Sequence, residues 1–343
     1  MVKEKVLAQG RVLYIADDIT GHRLNSNCIV KVERALSKET VYTNEYGWRV
    51  PSKKDSKNKK SKYTFAGCSL CMGTGNDYED SIIGQIEKKM NLKINNLGVG
   101  SFSLWQTVLL LKENIHRLGD SEIFILYGSW LTNRSIKEHG FPTIFRPILK
   151  FNTFKKKVEP LKPKNPPQFI TSLYMFFTKL NSKINPVRTS FIISLIQKIL
   201  VFISFFFHGK LSNFFLTRLG LSNYKRLTLT FEDRERILNF CLSELEKIGK
   251  KSKKNINILF FPGFFLNENL KKTDEMDRKI LNKYPKSSLL KVFMMKNLEL
   301  KFKKYATPQK KKMIYHQDNN HPNKFGSKIT AEEIVKILKT TKN

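Results

Sequence analysis

Acidic residues are scarce in this sequence. Across 343 residues, 29 Asp and Glu face 62 Lys and Arg, a formal net charge of +33. Such a balance suits an anionic partner. However, the lysines fall in scattered runs (53–62, 155–164 and 301–312) with no zinc-finger spacing, RNA-recognition signature or basic heptad helix. Nucleic acid is therefore not an expected partner. Cysteine is also rare, at positions 28, 68, 71 and 241 only. Cys68 and Cys71 form a Cys-x-x-Cys, but no second pair and no His-x-x-x-His completes a zinc site. The pair reads as small packing residues, and no metal or cofactor is expected. The first ten residues lack the apolar stretch of a secretory leader, which sets a cytoplasmic location as the expectation.

Long apolar runs are equally few, and the one exception is Phe191–Phe207. As a helix it would reach roughly 26 Å, slightly short of a bilayer core. Gln197 and Lys198 stand near its centre. It reads as a lid helix packed on the rest of the fold, as an interfacial helix helped by Arg188, Lys210, Lys225 and Arg226, or as a span. Peripheral membrane association through 191–207 therefore stays open.

What is present is an alternation. Short apolar runs at Tyr63–Ala66, Ile94–Leu97, Ile123–Tyr127 and Ile256–Phe261 read as buried parallel strands. Between or beside them, Tyr78–Met90, Trp105–Arg117 and Arg234–Lys250 read as helices, the first with Ile82, Ile83 and Ile86 on one face. This pattern predicts a doubly wound α/β sheet, whose active sites form at the carboxyl ends of the strands. The alternation breaks after residue 136 amid Pro142, Pro147, Pro160, Pro163, Pro166, Pro167 and Pro186, and resumes near 230. The expected organisation is an N-terminal extension (1–60), a first part of the domain (61–135), a lid-like helical insertion (136–229) and a second part (230–343).

Residues just past the strands carry the candidate chemistry. After the first strand comes Gly67-Cys68-Ser69-Leu70-Cys71-Met72-Gly73-Thr74-Gly75. A Ser at a strand-to-helix turn among glycines exposes its hydroxyl and brings its own N–H toward a developing oxyanion. A Ser hydroxyl needs a base to take its proton and a carboxylate to orient that base. Asp318 and His321, three residues apart just before a predicted helix at Ile329–Leu338, can supply both from one short turn. His139 reads as a surface loop residue; His208 and His316 read as structural or exposed.

These segments resemble the conserved blocks of the SGNH (GDSL-like) hydrolases. Asp318-x-x-His321-Pro322-Asn323-x-x-Gly326 is similar to the family's last block. Gly67-Cys68-Ser69 resembles the first, with Cys68 where Asp is usual. Asn96-Leu97-Gly98-Val99-Gly100-Ser101 resembles the second, with Gly-Ser where Ser-Gly is commoner. Thr43-Asn44-x-x-Gly47-x-Arg49 resembles a segment found upstream of the nucleophile in many bacterial members. The third block, Tyr127-Gly128-Ser129-Trp130-Leu131-Thr132-Asn133-Arg134, lacks the usual Gly-x-Asn-Asp. The resemblance spans about residues 42–135 and 230–340. It implies a three-layer α/β/α, flavodoxin-like fold, an acyl-enzyme on Ser69, and His321 as base held by Asp318. It also implies an oxyanion hole from the amides of Ser69 and of Gly100 or Ser101. Asn133 is the best candidate for the hole's side-chain donor, with Arg134 as a cationic substitute. The implied function is cleavage or transfer of an O-acyl ester on a carbohydrate, lipid or other small molecule. Two alternatives stand beside it: a lipase-like enzyme at a membrane surface, and a non-catalytic module of this fold that binds a polyanionic glycan or anionic membrane.

Overall fold

The computed structural model describes residues 3–8, 12–34, 37–55, 61–136, 139–141, 144–145, 147–152, 157–161, 229–263, 270–285, 287–305, 307–316 and 321–341. The first strands come from the N-terminal residues: β1 (Lys3–Ala8), β2 (Tyr14–Asp17), β3 (Gly21–Leu24), β4 (Ile29–Arg34), β5 (Ser37–Thr43) and β6 (Arg49–Val50). β7 (Tyr63–Gly67), β8 (Ile94–Gly98) and β9 (Glu122–Tyr127) follow. Two small antiparallel hairpins come next, β10 (His139–Phe141) with β11 (Ile144–Phe145) and β12 (Ile148–Asn152) with β13 (Lys157–Leu161). The last strands are β14 (Ile256–Phe260) and β15 (Leu290–Met294).

Nine of these strands form one mixed sheet, in the order β1-β4-β5-β6-β8-β7-β9-β14-β15. From β8 to β15 all pairings are parallel. In chain order the five parallel strands stand second, first, third, fourth, fifth, the doubly wound order whose switch point lies between β7 and β9. A parallel strand covered on both faces is apolar throughout, and every residue of β7, β8 and β14 is buried. The stacked rings of Phe65 and Phe124, 5.2 Å apart, join the central pair.

The first sixty residues precede the regular alternation of the sequence and are expected as an N-terminal extension. In the structure β1, β4, β5 and β6 continue the same sheet as an antiparallel wing, joined to β8 through Arg49 opposite Asn96. In β4 the buried Val30 and Val32 alternate with Lys31 and Glu33, while across β5 and β6 the pattern is masked by one buried charge pair: Glu39 and Arg49 are both enclosed, 3.6 Å apart.

The helices are α1 (Ser69–Met72), α2 (Ile82–Met90), α3 (Leu104–Asn114), α4 (Ser129–Arg134), α5 (Phe231–Ser252), α6 (Lys271–Lys283), α7 (Lys296–Lys303), α8 (Pro308–Ile314) and α9 (Lys324–Thr340). α2 buries Ile82, Ile83 and Ile86, the face its periodicity predicts, and packs on α9. α3 starts with a capping box of Ser103 and Gln106 and packs on α5, which also meets α6. The apolar run 191–207, the cations proposed to flank it and His208 lie outside the described residues. Among the described residues, no helix is long and apolar enough to cross a membrane.

Candidate active site

The carboxyl end of β7 leads directly into the site. Gly67 pairs with Gly98 of β8 on one side and Leu126 of β9 on the other. Cys68 caps α1, and Ser69 is its first residue. α1 lies almost against β8, since a Cβ on Gly98 would sit 2.1 Å from the Met72 amide nitrogen. Gly98 therefore allows the close approach that puts Ser69 at the strand end. Cys68 and Cys71 are both buried free thiols. Burial, reinforced by the neighbouring Cys68, holds the Cys71 thiol well above its ordinary pKa. A thiol held protonated is a poor nucleophile, whereas the Ser69 side chain beside it is half-buried.

His321 reaches Ser69 from the far end of the chain. Its Nε2 lies 3.0 Å from Ser69 Oγ across 252 residues of sequence, and both side chains are half-buried. With its proton on Nδ1, the ring accepts the Ser69 hydroxyl at Nε2. Asp318, expected to hold Nδ1, lies outside the described residues. The described residues before and after it are tied to one another. The His316 amide donates to the His321 carbonyl at 2.9 Å, and Tyr315 bridges Pro322. Asn323 then caps α9, accepting from the amides of Phe325 and Gly326. Caps of this kind contribute about 1 kcal/mol.

The loop after β8 sits alongside. Ser101 has φ +63°, the left-handed region that glycine favours, at the position where the resemblance sets a glycine. The amides of Val99, Phe102 and Ser103 are engaged by Gly67, Val99 and Gln106. Among the described residues, those of Ser69, Gly100 and Ser101 donate to no partner. The Gly100 carbonyl accepts from His22 Nε2 at 2.9 Å.

The third-block residues have partners of their own. Asn133 turns its carboxamide oxygen to Arg234 Nη1 at 2.6 Å. Arg134 Nη1 donates to the Phe102 carbonyl at 3.3 Å, beside the second-block loop. Trp130 closes over the ends of β9 and β14, so near that a Cβ on Gly128 would sit 2.0 Å from its ring. Behind them Arg234 and Asp277 form a fully buried ion pair that also holds Tyr127, and Tyr127 contacts Thr132. His139 stands at the start of β10.

Three further residues support this site, two of them, Asn76 and His22, unmarked in the sequence. Asn76, Arg49 and His22 are buried, and each binds a loop that carries a candidate group. Arg49 ends a segment singled out by resemblance, and Asn76 directly follows the serine turn. His22 has no neighbour in sequence that would mark it. Among the described residues, no cluster of His, Cys, Asp or Glu could hold a metal ion.

No family model matches the chain, and no curated protein matches it. Among solved structures, an acetyl xylan esterase (Est2A) from the rumen bacterium Butyrivibrio proteoclasticus is similar at 11% identity and a TM-score of 0.36. The similarity covers 83% of this chain and 64% of that one, so the chain spans less than two thirds of that protein's length. A likeness of that size assigns neither family nor activity.

Proposed function

We propose that this chain is a serine hydrolase of the SGNH type that cleaves or transfers an O-acyl ester borne by a carbohydrate or lipid. The observation that carries this reading is the 3.0 Å contact between Ser69 Oγ and His321 Nε2 at the carboxyl end of β7. In the first half-reaction His321 takes the hydroxyl proton as Oγ bonds to the ester carbonyl carbon. The tetrahedral oxyanion faces the unengaged amides of Ser69 and of Gly100 or Ser101, each such donor being worth about 3 kcal/mol in the transition state. His321 then passes its proton to the departing alcohol, leaving an acyl-Ser69. Water, or an acceptor hydroxyl in a transferase, reverses the sequence, and Asp318 holds the imidazole throughout. Asn133 is the proposed side-chain donor of the hole. Its oxygen already faces Arg234, so its NH2 is the end left for an oxyanion.

The test is hydrolysis of short-chain p-nitrophenyl esters and labelling by a fluorophosphonate, each compared with Ser69→Ala. The expected result is activity and labelling in the wild type, with both lost in the variant. A wild type that neither hydrolyses nor labels overturns the reading and favours a binding module of the same fold.

A further inference from the structure

The serine turn and the histidine turn are clasped by one side chain, that of Asn76. Its Nδ2 donates to the Pro322 carbonyl at 2.8 Å, and its Oδ1 lies 3.2 Å from His316 Nε2. A carbonyl can only accept, so the NH2 end must face Pro322 and the oxygen must face His316. His316 Nε2 therefore carries a proton and donates it. The two contacts fall on either side of the turn whose base is closed by His316 and His321. Gly75, at φ +90°, lets the backbone pass under His316, because a Cβ there would sit 3.0 Å from that ring.

Asn76 is itself held from the antiparallel wing. Arg49 Nη2 donates to the Asn76 carbonyl at 2.7 Å, and Nη1 donates to the carbonyls of Met72 and Gly73 at 2.7 and 2.9 Å. All three carbonyls lie within seven residues of Ser69, and the guanidinium is enclosed and paired with Glu39. One rigid fork thus shapes the loop after the nucleophile, and the loop's last residue grips the turn of the base.

We propose that Asn76 is a positioning residue that sets the distance between Ser69 and His321, with Arg49 holding Asn76 in place. The assignment rests on the hydrolase reading above. A 1 Å displacement of a reacting group costs up to about 100-fold in rate. Asn76→Ala removes both contacts without burying a charge, and Asn76→Asp keeps an acceptor for His316 while setting an acceptor against the Pro322 carbonyl.

The experiment measures kcat and KM on a p-nitrophenyl ester, normalised to sites titrated by fluorophosphonate, and crystal structures of wild type and both variants. The expected result is a drop in kcat of about 10- to 100-fold with KM unchanged, and a Ser69–His321 separation beyond hydrogen-bond range. A residue that served only the fold would lower the melting temperature and the number of titratable sites. In that case kcat per site and the Ser69–His321 distance stay at wild-type values, and the proposal is overturned. If the wild type neither hydrolyses nor labels, the hydrolase reading fails by itself. The distance in the variants then decides: an opened contact supports the clasp, and a retained one overturns it.

Discussion

His22 Nε2 meets the Gly100 carbonyl at 2.9 Å, so the β2–β3 hairpin, a two-stranded sheet of its own, holds the loop that follows β8. Its protonation is set by its other neighbour. Gln106 uses its oxygen to accept the Ser103 amide and its NH2 to reach the Thr20 carbonyl at 2.7 Å and His22 Nδ1 at 3.4 Å. A ring that accepts at Nδ1 carries its proton on Nε2, the nitrogen facing Gly100.

Replacing His22 by Phe keeps the ring's bulk but removes the donor to a buried carbonyl. The expected cost is about 1–3 kcal/mol of unfolding free energy, the penalty of one orphaned buried group. His22→Gln, with an NH2 of its own, should recover part of it. Urea denaturation of the three proteins reads the difference. Equal midpoints would show that the Gly100 loop stands without His22.

The central sheet was readable because parallel strands are continuous apolar runs: Tyr63–Ala66 and Ile256–Phe261 announce themselves. The wing was harder to read: β4 does alternate, with Val30 and Val32 buried between Lys31 and Glu33, but β5 and β6 place the charges Glu39 and Arg49 at buried positions where an apolar residue would mark the face. The approach of Ser69 and His321 was legible because the proposed chemistry demands particular residue types in particular turns. Asn76 and His22 were not, since each acts through backbone carbonyls of residues far away in sequence, and a carbonyl has no residue type to read.

Glu87 makes stability depend on pH in an unusual direction. Burial raises its pKa to about 7, against the opposing pull of the Ile94 amide and Lys93. Between the ordinary carboxylate value and 7, the folded protein holds a proton that the unfolded chain has lost. Stability from this group is therefore fully present below about pH 4.5 and falls as pH rises toward 7. The size of the effect is up to about 3 kcal/mol. Glu87→Gln keeps an oxygen for the Ile94 amide, 2.7 Å away in the wild type, and has no proton to lose. Its unfolding free energy, followed from pH 5 to 8, should lack the decline seen in the wild type. Parallel curves for the two proteins would contradict the assignment.

Arg234 and Asp277 bring α5, α6, β9 and α4 together in one buried network. Arg234 meets both carboxylate oxygens, Nη1 reaches Asn133, and Nη2 also takes the Ser129 carbonyl. Removing one partner of such a pair leaves an uncompensated charge in the interior, whereas removing both does not. Arg234→Met alone should therefore lose about 3–5 kcal/mol, and adding Asp277→Leu should restore part of that loss. The double-mutant cycle by guanidinium denaturation measures the coupling directly. If the two single losses simply add, the charges are solvated independently and the network does not act as a unit. The cycle also reports on the candidate site. Arg234→Met frees the Asn133 carboxamide to rotate, so if its NH2 serves the oxyanion, ester turnover per titrated Ser69 should fall in the stable double variant as well as in the single one.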